Sequence, residues 1–288
     1  MTGNIVWIAS YPKSGNTWFR AFLANLASSS EEPIHINSLP IDNGNSRTLF
    51  DTVSGIDSAN LLPEEIDCLR PNFYKTLSSL AGADCYYKIH DAYQQLPDGQ
   101  ACFPADATRC TIYIVRNPLD VASSFAHFLR RDINRVIAEM NQDEFVFNPG
   151  RENITSMLMQ KYLSWSGHVL SWLEAPAGMN LHLIRYEDML RHPEATLSQA
   201  VRAIGLDTSQ EDIQRAIRFS SFDTLKAMEN QAGFKEKPPQ ADAFFREGRS
   251  GGWRESLSPQ QVSTLVEKHG AVMQRLGYLD ANGQVIDL

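Results

Sequence analysis

Ile5-Val-Trp-Ile-Ala-Ser-Tyr-Pro-Lys-Ser-Gly-Asn-Thr-Trp18 decides how the rest of the chain is read. Ile5 to Ala9 is a short apolar run, the pattern of a strand buried on both faces. Ser10 to Gly15 supplies turn chemistry, and Thr17 to Leu26 carries apolar residues at helical spacing. A loop between a parallel strand and a helix start aims backbone N–H groups and the positive end of the helix dipole at one point, which suits an anion. Ser10-x-x-x-x-Gly15-Asn16-Thr17 keeps the spacing of a Walker A loop but lacks its first glycine and the lysine after its second. The lysine stands at Lys13, inside the loop. A triphosphatase needs its lysine on the β- and γ-phosphates and a Ser/Thr on magnesium, so the displaced lysine argues for a phosphate donor of another kind.

The 288 residues suit one α/β domain with a sizeable core, and 43% hydrophobic with 21% charged residues is ordinary globular composition. No apolar run approaches the roughly 20 residues of a membrane-spanning helix. The N-terminal stretch has no charged leader, so the expected location is the cytoplasm. Cys68, Cys85, Cys102 and Cys110 show neither C-x-x-C spacing nor zinc-type pairing with His, which predicts reduced, half-buried thiols and no metal site. Asn153-Ile-Thr155 fits the glycosylation pattern but has no meaning inside a cell. A net charge of −8 argues against nucleic acid as a partner. Any anion site is therefore local, built from a few cations and loop amides in an acidic protein.

Residues 28 to 58 are polar and rich in Ser, Asn and Pro, and read as a long, mobile connection. Leu61 to Leu80 reads as a helix, Asp84 to His90 as a strand whose alternation puts Lys88 and His90 on one face, and Cys110 to Val115 as a buried strand. That strand runs into Arg116-Asn-Pro-Leu-Asp120 and a helix from Val121. A polar stretch from Arg130 to Glu152 precedes an expected long helix over 156–173, then a strand at Leu181 to Tyr186 and helices at Pro193 to Ile204 and Gln210 to Arg218. A loop over 231–245 leads to a glycine-rich, cationic segment, Arg246 to Arg254, and Ser258-Pro259 opens a closing helix. Strands alternating with helices imply a central parallel sheet flanked by helices with right-handed crossovers, and the Walker A spacing of the first loop makes that fold P-loop-like. Ligands of such sheets bind at the carboxyl ends of the strands. Those ends carry Lys13, Lys88 with His90, Arg116 with Ser123 and Ser124, and Tyr186 with Glu187.

The chain resembles the sulfotransferases that use 3'-phosphoadenosine 5'-phosphosulfate (PAPS). Tyr11-Pro-Lys-Ser-Gly-Asn-Thr-Trp18 is similar to the loop that holds the 5'-phosphosulfate in that family. Arg116-Asn-Pro-Leu-Asp-Val-Ala-Ser-Ser124 resembles the segment that holds the 3'-phosphate, and Arg246-x-Gly-x-x-Gly-x-Trp253 the glycine-rich closing loop. Lys88-x-His90 resembles the segment with the catalytic histidine, Tyr186-Glu-Asp-Met189 and Ser221-Phe222 resemble segments near the adenine, and Trp165 to Trp172 fits the pattern Trp-x-x-His-Val-x-x-Trp. The likeness spans about residues 4 to 254.

The resemblance implies sulfuryl transfer from PAPS to a hydroxyl of a small molecule by in-line displacement, without a metal. His90 is then the general base and Lys13 the cation on the bridging oxygen of the leaving bisphosphate, while Lys88 supports the transferring group or flanks His90. Ser14, Gly15, Asn16 and Thr17 would hold the 5'-phosphate. Arg116, Ser124, Arg246 and Gly248 would hold the 3'-phosphate, with Glu247 in the same loop. Trp18, Tyr186 and Phe222 are candidates for adenine contact. The acceptor pocket is expected among residues 28–58, 130–151 and 231–247, where Phe145, Phe147, Phe244 and Phe245 suggest an apolar portion in the acceptor. Three positions depart from the family pattern: Glu247 stands where Lys is frequent, Gly252 where Asp is common, and Asn16 where Thr is usual. The family's frequent dimer motif is not reproduced after Arg254. The alternatives are a non-catalytic protein that binds PAPS or its product, and a P-loop small-molecule kinase; Asn16 and Arg116 stand where the kinase needs a lysine and a magnesium-binding carboxylate.

Overall fold

Ile5–Ser10 forms β1, and every one of its residues is buried, as the unbroken apolar run requires of a strand covered on both faces. The computed structural model describes residues 3–147 and 154–287. The further strands are β2 (Asp42–Asn43), β3 (Cys85–Ile89), β4 (Thr108–Val115), β5 (Val146–Phe147), β6 (Gln160–Lys161) and β7 (Leu181–Arg185). The helices are α1 (Asn16–Ala27), α2 (Arg47–Ser54), α3 (Pro63–Leu80), α4 (Pro118–Leu129), α5 (Ile133–Asn141), α6 (Trp165–Leu173), α7 (Tyr186–Arg191), α8 (Pro193–Ile204), α9 (Gln210–Phe219), α10 (Phe222–Ala232), α11 (Trp253–Ser256) and α12 (Pro259–Arg275). Five strands make one parallel sheet, flanked by helices, in the order β2-β3-β1-β4-β7, and β5 pairs antiparallel with β6. The register sets Ile5 against Cys85 and Ala9 against Ile89. In β2, Asn43 pairs with Lys88.

The chain divides into two compact units: Met1–Tyr11, Ile41–Tyr113 and Asp143–Leu183 in the first, Pro12–Pro40, Ile114–Gln142 and Ile184–Leu288 in the second. In the first, Trp7 lies edge-on to Tyr74 at 4.9 Å and to Phe103 at 5.2 Å, and Phe103 reaches Trp172 at 5.3 Å. The same unit buries Arg70, which donates to Asp91 (3.1 Å), the Asn45 side-chain oxygen (2.7 Å) and the Tyr74 hydroxyl (3.0 Å). An unpaired guanidinium at this depth would be prohibitive, so Asp91 and Arg70 are structurally interdependent. In the second unit α1 packs on α9, α4 on α5, and α12 on α5. Phe234, Phe245, Ile36, Leu225 and Ala21 share one apolar cluster there.

Several expected stretches are more ordered than their composition suggests. The connection over 28–58 contains α2, opened by Ser46, whose hydroxyl accepts from Leu49 N, and closed by Gly55 at φ 70°. The polar stretch from Arg130 contains α5, capped by Asp132, and α10 follows Ser221, whose hydroxyl accepts from Thr224 N. The helix expected over 156–173 starts only at Trp165: Leu163 sits at φ 58° and Ser164 caps the helix. The segment before it contains β6. α4 begins at Pro118, three residues before the expected start, because Asn117 caps it and proline suits a first helical turn. Asn153 of the glycosylation pattern and residues 148–151 of the expected acceptor loop lie outside the described residues. All four cysteines are free, with Cys102 and Cys110 buried, Cys85 half-buried and Cys68 exposed. Among the described residues no helix is long and apolar enough to cross a membrane.

Candidate active site

Lys88 and His90 close β3 in the first unit, and the backbone around His90 is held from two sides. His90 Nδ1 donates to the Ser10 carbonyl at 2.8 Å, and a carbonyl can only accept. In the neutral ring this assigns the proton to Nδ1 and the lone pair to Nε2, the arrangement a general base requires. The His90 carbonyl in turn accepts from His168 Nε2 at 3.1 Å, and His168 Nδ1 accepts from the Tyr113 hydroxyl at 2.8 Å. Burial pushes the His168 imidazole down to about 3, opposed by its bond to the His90 carbonyl, so it stays neutral. The next residue, Asp91, is anchored by Arg70, and its own carbonyl accepts from Trp172 Nε1 at 2.9 Å.

The remaining predicted residues meet in the second unit. After Pro12 the chain turns through Lys13 at φ 66° and Gly15 at φ 103° before entering α1. A Cβ on Gly15 would lie 2.7 Å from the Tyr186 ring, so both the turn and the close packing demand glycine. No side chain caps α1 and no acidic residue stands in its first turn. Ser14 is fully buried, and its hydroxyl has no partner among the described residues. A buried, unsatisfied hydroxyl beside uncapped helix amides fits an anion. Asn16 and Thr17 are buried beside it. Trp18 meets Tyr186 edge-on at 5.8 Å.

Arg116 ties three pieces of this unit together. Its guanidinium donates to the Lys13 carbonyl (3.1 Å) and the Arg249 carbonyl (3.0 Å) and lies 4.2 Å over the Tyr186 ring. Lys13 Nζ rests between Phe128 (4.2 Å) and Phe244 (4.0 Å). In the closing loop Arg246 donates to the Ser123 hydroxyl at 3.4 Å and pairs with Glu247 at 2.7 Å. The neighbouring Ser124 is half-buried on α4, and its hydroxyl has no hydrogen-bond partner among the described residues. Gly248, at φ 63°, lies flat against Phe222: a Cβ there would sit 2.3 Å from its ring.

Two carboxylates that sequence reading did not assign hold this arrangement. Asp120 accepts from Gly251 N (2.9 Å) and Trp253 N (3.0 Å), so α4 fastens the closing loop. Glu187, buried and shifted upward by that burial, accepts from Asn117 N (3.0 Å) and the Tyr278 hydroxyl (2.9 Å) and fixes the turn after Arg116. Their signal in sequence is only an acidic residue after a strand end. Of the apolar candidates, Phe145 and Phe245 are buried, and Phe147 stacks on Tyr162 at 5.3 Å. Among the described residues no group of three or more His, Cys, Asp or Glu is placed to hold a metal ion.

An uncapped helix entry with a buried serine, a lysine inside the turn and two arginines on adjoining segments are groups suited to an anion, set on a parallel α/β sheet. Residues 4–277 match the sulfotransferase domain family, and the chain belongs to that family and is an enzyme of it. It is 26% identical over 275 residues to flavonol 3-sulfotransferase of Flaveria bidentis, covering 91% of this chain and 79% of that one. Cytosolic sulfotransferase 13 of Arabidopsis thaliana is 25% identical over 260 residues, covering 88% and 71%. In fold the chain is similar to a mouse sulfotransferase complexed with PAP, the 3',5'-bisphosphate that remains once PAPS has lost its sulfuryl group (TM-score 0.60, 20% identity, 97% and 86% of the chains). A retinol dehydratase in a complex with retinol and PAP gives TM-score 0.60 at 18% identity, over 95% and 82%.

Proposed function

We propose that this enzyme transfers a sulfuryl group from PAPS to a hydroxyl of a small molecule, with His90 as general base. The observation that carries the reading is Arg116, which binds both the loop of Lys13 and the closing loop of Arg246 while facing Tyr186. When bound, PAPS supplies an activated sulfuryl group on a bisphosphate leaving group. Ser14 and the first amides of α1 hold the 5'-phosphate, Arg116, Ser124, Arg246 and the Gly248 amide hold the 3'-phosphate, and Trp18, Tyr186 and Phe222 frame the base. Lys13 neutralises charge on the leaving oxygen, an electrostatic role of the kind that commonly dominates such transfers. Lys88 supports the sulfuryl oxygens. His90 Nε2 takes the acceptor's proton, a step that typically contributes about 10²- to 10⁴-fold.

The acceptor carries a hydroxyl and an apolar portion, a class consistent with the flavonol named for one relative. The cytoplasm is the proposed location. The test offers PAPS with a panel of phenols, aliphatic alcohols and a flavonol, and follows PAP release and sulfated product by mass spectrometry. Transfer is expected to at least one hydroxyl compound, with turnover abolished in His90→Ala and PAP affinity within about two-fold of wild type, since the base adds catalysis and not nucleotide contact. Full turnover in His90→Ala would remove the base assignment.

A further inference from the structure

Two departures in the closing loop are one physical change. The Glu247 carboxylate spans two arginines, Oε1 at 2.7 Å from Arg246 Nη2 and Oε2 at 2.9 Å from Arg249 Nε. Arg249 turns its remaining nitrogens to Glu255. Gly252 is buried at φ −60°, ψ −19°, a helical conformation open to any residue, so its backbone does not require glycine. What a side chain there would meet is Glu247: a Cβ at Gly252 would lie 2.7 Å from Glu247 Oε2, so the carboxylate would have to shift from its place between the two arginines. The two departures named above, Glu247 and Gly252, are thus neighbours in space, and the glycine leaves room for the Glu247 carboxylate between the two arginines.

We propose that Glu247 is a specificity-determining residue that competes with the nucleotide's 3'-phosphate for Arg246 and thereby lowers the enzyme's preference for 3'-phosphorylated nucleotides. The inference rests on the proposed placement of the 3'-phosphate at Arg246. Arg246 and Glu247 side chains are 35% and 34% exposed, so their ion pair is weak and yields to a ligand. Glu247 nevertheless remains covalently beside the phosphate as a like charge. At a separation of a few ångströms in a half-exposed site, that repulsion corresponds to about ten-fold in affinity. It acts equally on donor and on bisphosphate product, because both carry the 3'-phosphate.

The test is calorimetric titration of the full chain with PAP and with adenosine 5'-phosphate, which lacks the 3'-phosphate. The readout is the ratio of the two dissociation constants. Glu247→Gln is expected to raise the preference for PAP about ten-fold, and Glu247→Lys further, with adenosine 5'-phosphate binding changed less than about two-fold. Gly252→Ala is expected to alter the ratio in the wild-type background and to change it far less in Glu247→Ala, where the one atom it would clash with is gone and only ordinary contacts with Arg249 at 3.6 and 3.8 Å remain. A preference for PAP that is unchanged or reduced in both Glu247→Gln and Glu247→Lys overturns the inference, since Glu247 would then be neutral toward the phosphate or would orient the arginines for it. A Gly252→Ala effect of equal size without Glu247 overturns the coupling of the two positions. Wild-type chain that binds neither nucleotide overturns the proposed function itself, whereas binding of both with an unmoved ratio overturns only this inference.

Discussion

Replacing Arg116 with alanine removes three interactions at once, and their sum can be worked from the geometry. The guanidinium donates to two backbone carbonyls, of Lys13 at 3.1 Å and Arg249 at 3.0 Å, the second at an exposed end. Charged hydrogen bonds discounted for exposure contribute about 1 kcal/mol each. The Tyr186 face at 4.2 Å adds about 1 kcal/mol. The total of about 3 kcal/mol predicts a fall in melting temperature of about 6–10 °C. Loss of a forked phosphate contact should separately weaken PAP about 50-fold. Adenosine 5'-phosphate should weaken less, because only the loop of Lys13 is loosened for it. Arg116→Lys keeps the charge but loses the planar fork, so it should recover little of either loss. The measurements are thermal unfolding and calorimetric titration with both nucleotides. An unchanged melting temperature would refute the stapling of the two loops, and equal losses for the two nucleotides would refute the 3'-phosphate contact.

His168 should impose a pH dependence of known sign. Its folded value is depressed to about 3 from 6.5, so between those values the unfolded chain holds a proton that the native chain does not. Stability from this group is fully present above pH 6.5 and lost as pH falls, at up to about 1.4 kcal/mol per pH unit. Chemical unfolding of wild type and His168→Gln should therefore converge on acidification, and parallel curves from pH 7 to 4 would contradict the burial of a neutral imidazole. Gly248→Ala places a Cβ 2.3 Å from the Phe222 ring at φ 63°, so the loop must shift. PAP affinity should fall at least about ten-fold while global stability drops by about 1–3 kcal/mol, since the damage sits in a surface loop; unchanged titration with PAP would separate Gly248 from the ligand.

What could be read from sequence was what lies close in sequence. β1, the turn through Lys13 and Gly15, and α1 follow one another without interruption, so apolar periodicity and turn chemistry revealed them together. Short helices were harder: α2 has only eight residues, so Leu49, Phe50 and Val53 complete barely one repeat of a helical pattern, and its firmer evidence was the pair Ser46 and Gly55 at its ends. Asp132 and Ser221 gave the same capping signal for α5 and α10, and α5 adds Ile133, Val136, Ile137 and Met140 at helical spacing, a stripe hidden within a stretch that is polar on average. The supporting residues were hidden because their partners are remote. Asp120 meets Gly251 and Trp253 across more than a hundred residues, and Glu187 meets Tyr278 across 91. Nothing local marks an aspartate as the anchor of a distant loop. His168 was legible as part of a Trp-x-x-His pattern, but its bond to the His90 carbonyl depends on where α6 lies against β3.

In a protein of net charge −8, the three cations Lys13, Arg116 and Arg246 of the second unit each have internal counterparts. Lys13 lies against the faces of Phe128 and Phe244, Arg116 against Tyr186 and two carbonyls, and Arg246 against Glu247. These counterparts differ in kind. Aromatic faces and carbonyls attract a cation without bearing a full negative charge, so they orient Lys13 and Arg116 while leaving them attractive to phosphate. A carboxylate carries a full charge and opposes the same ligand. The segment from Arg116 to Asp120 also fastens the closing loop through Arg249, Gly251 and Trp253. Seating that loop within the fold reduces the ordering cost of binding, which favours nucleotides generally. Under the proposed reading two functions are divided around the closing loop: Asp120 and Arg116, which bond its backbone from outside, set how readily it receives a nucleotide, and Glu247 within it sets how strongly it prefers one with a 3'-phosphate.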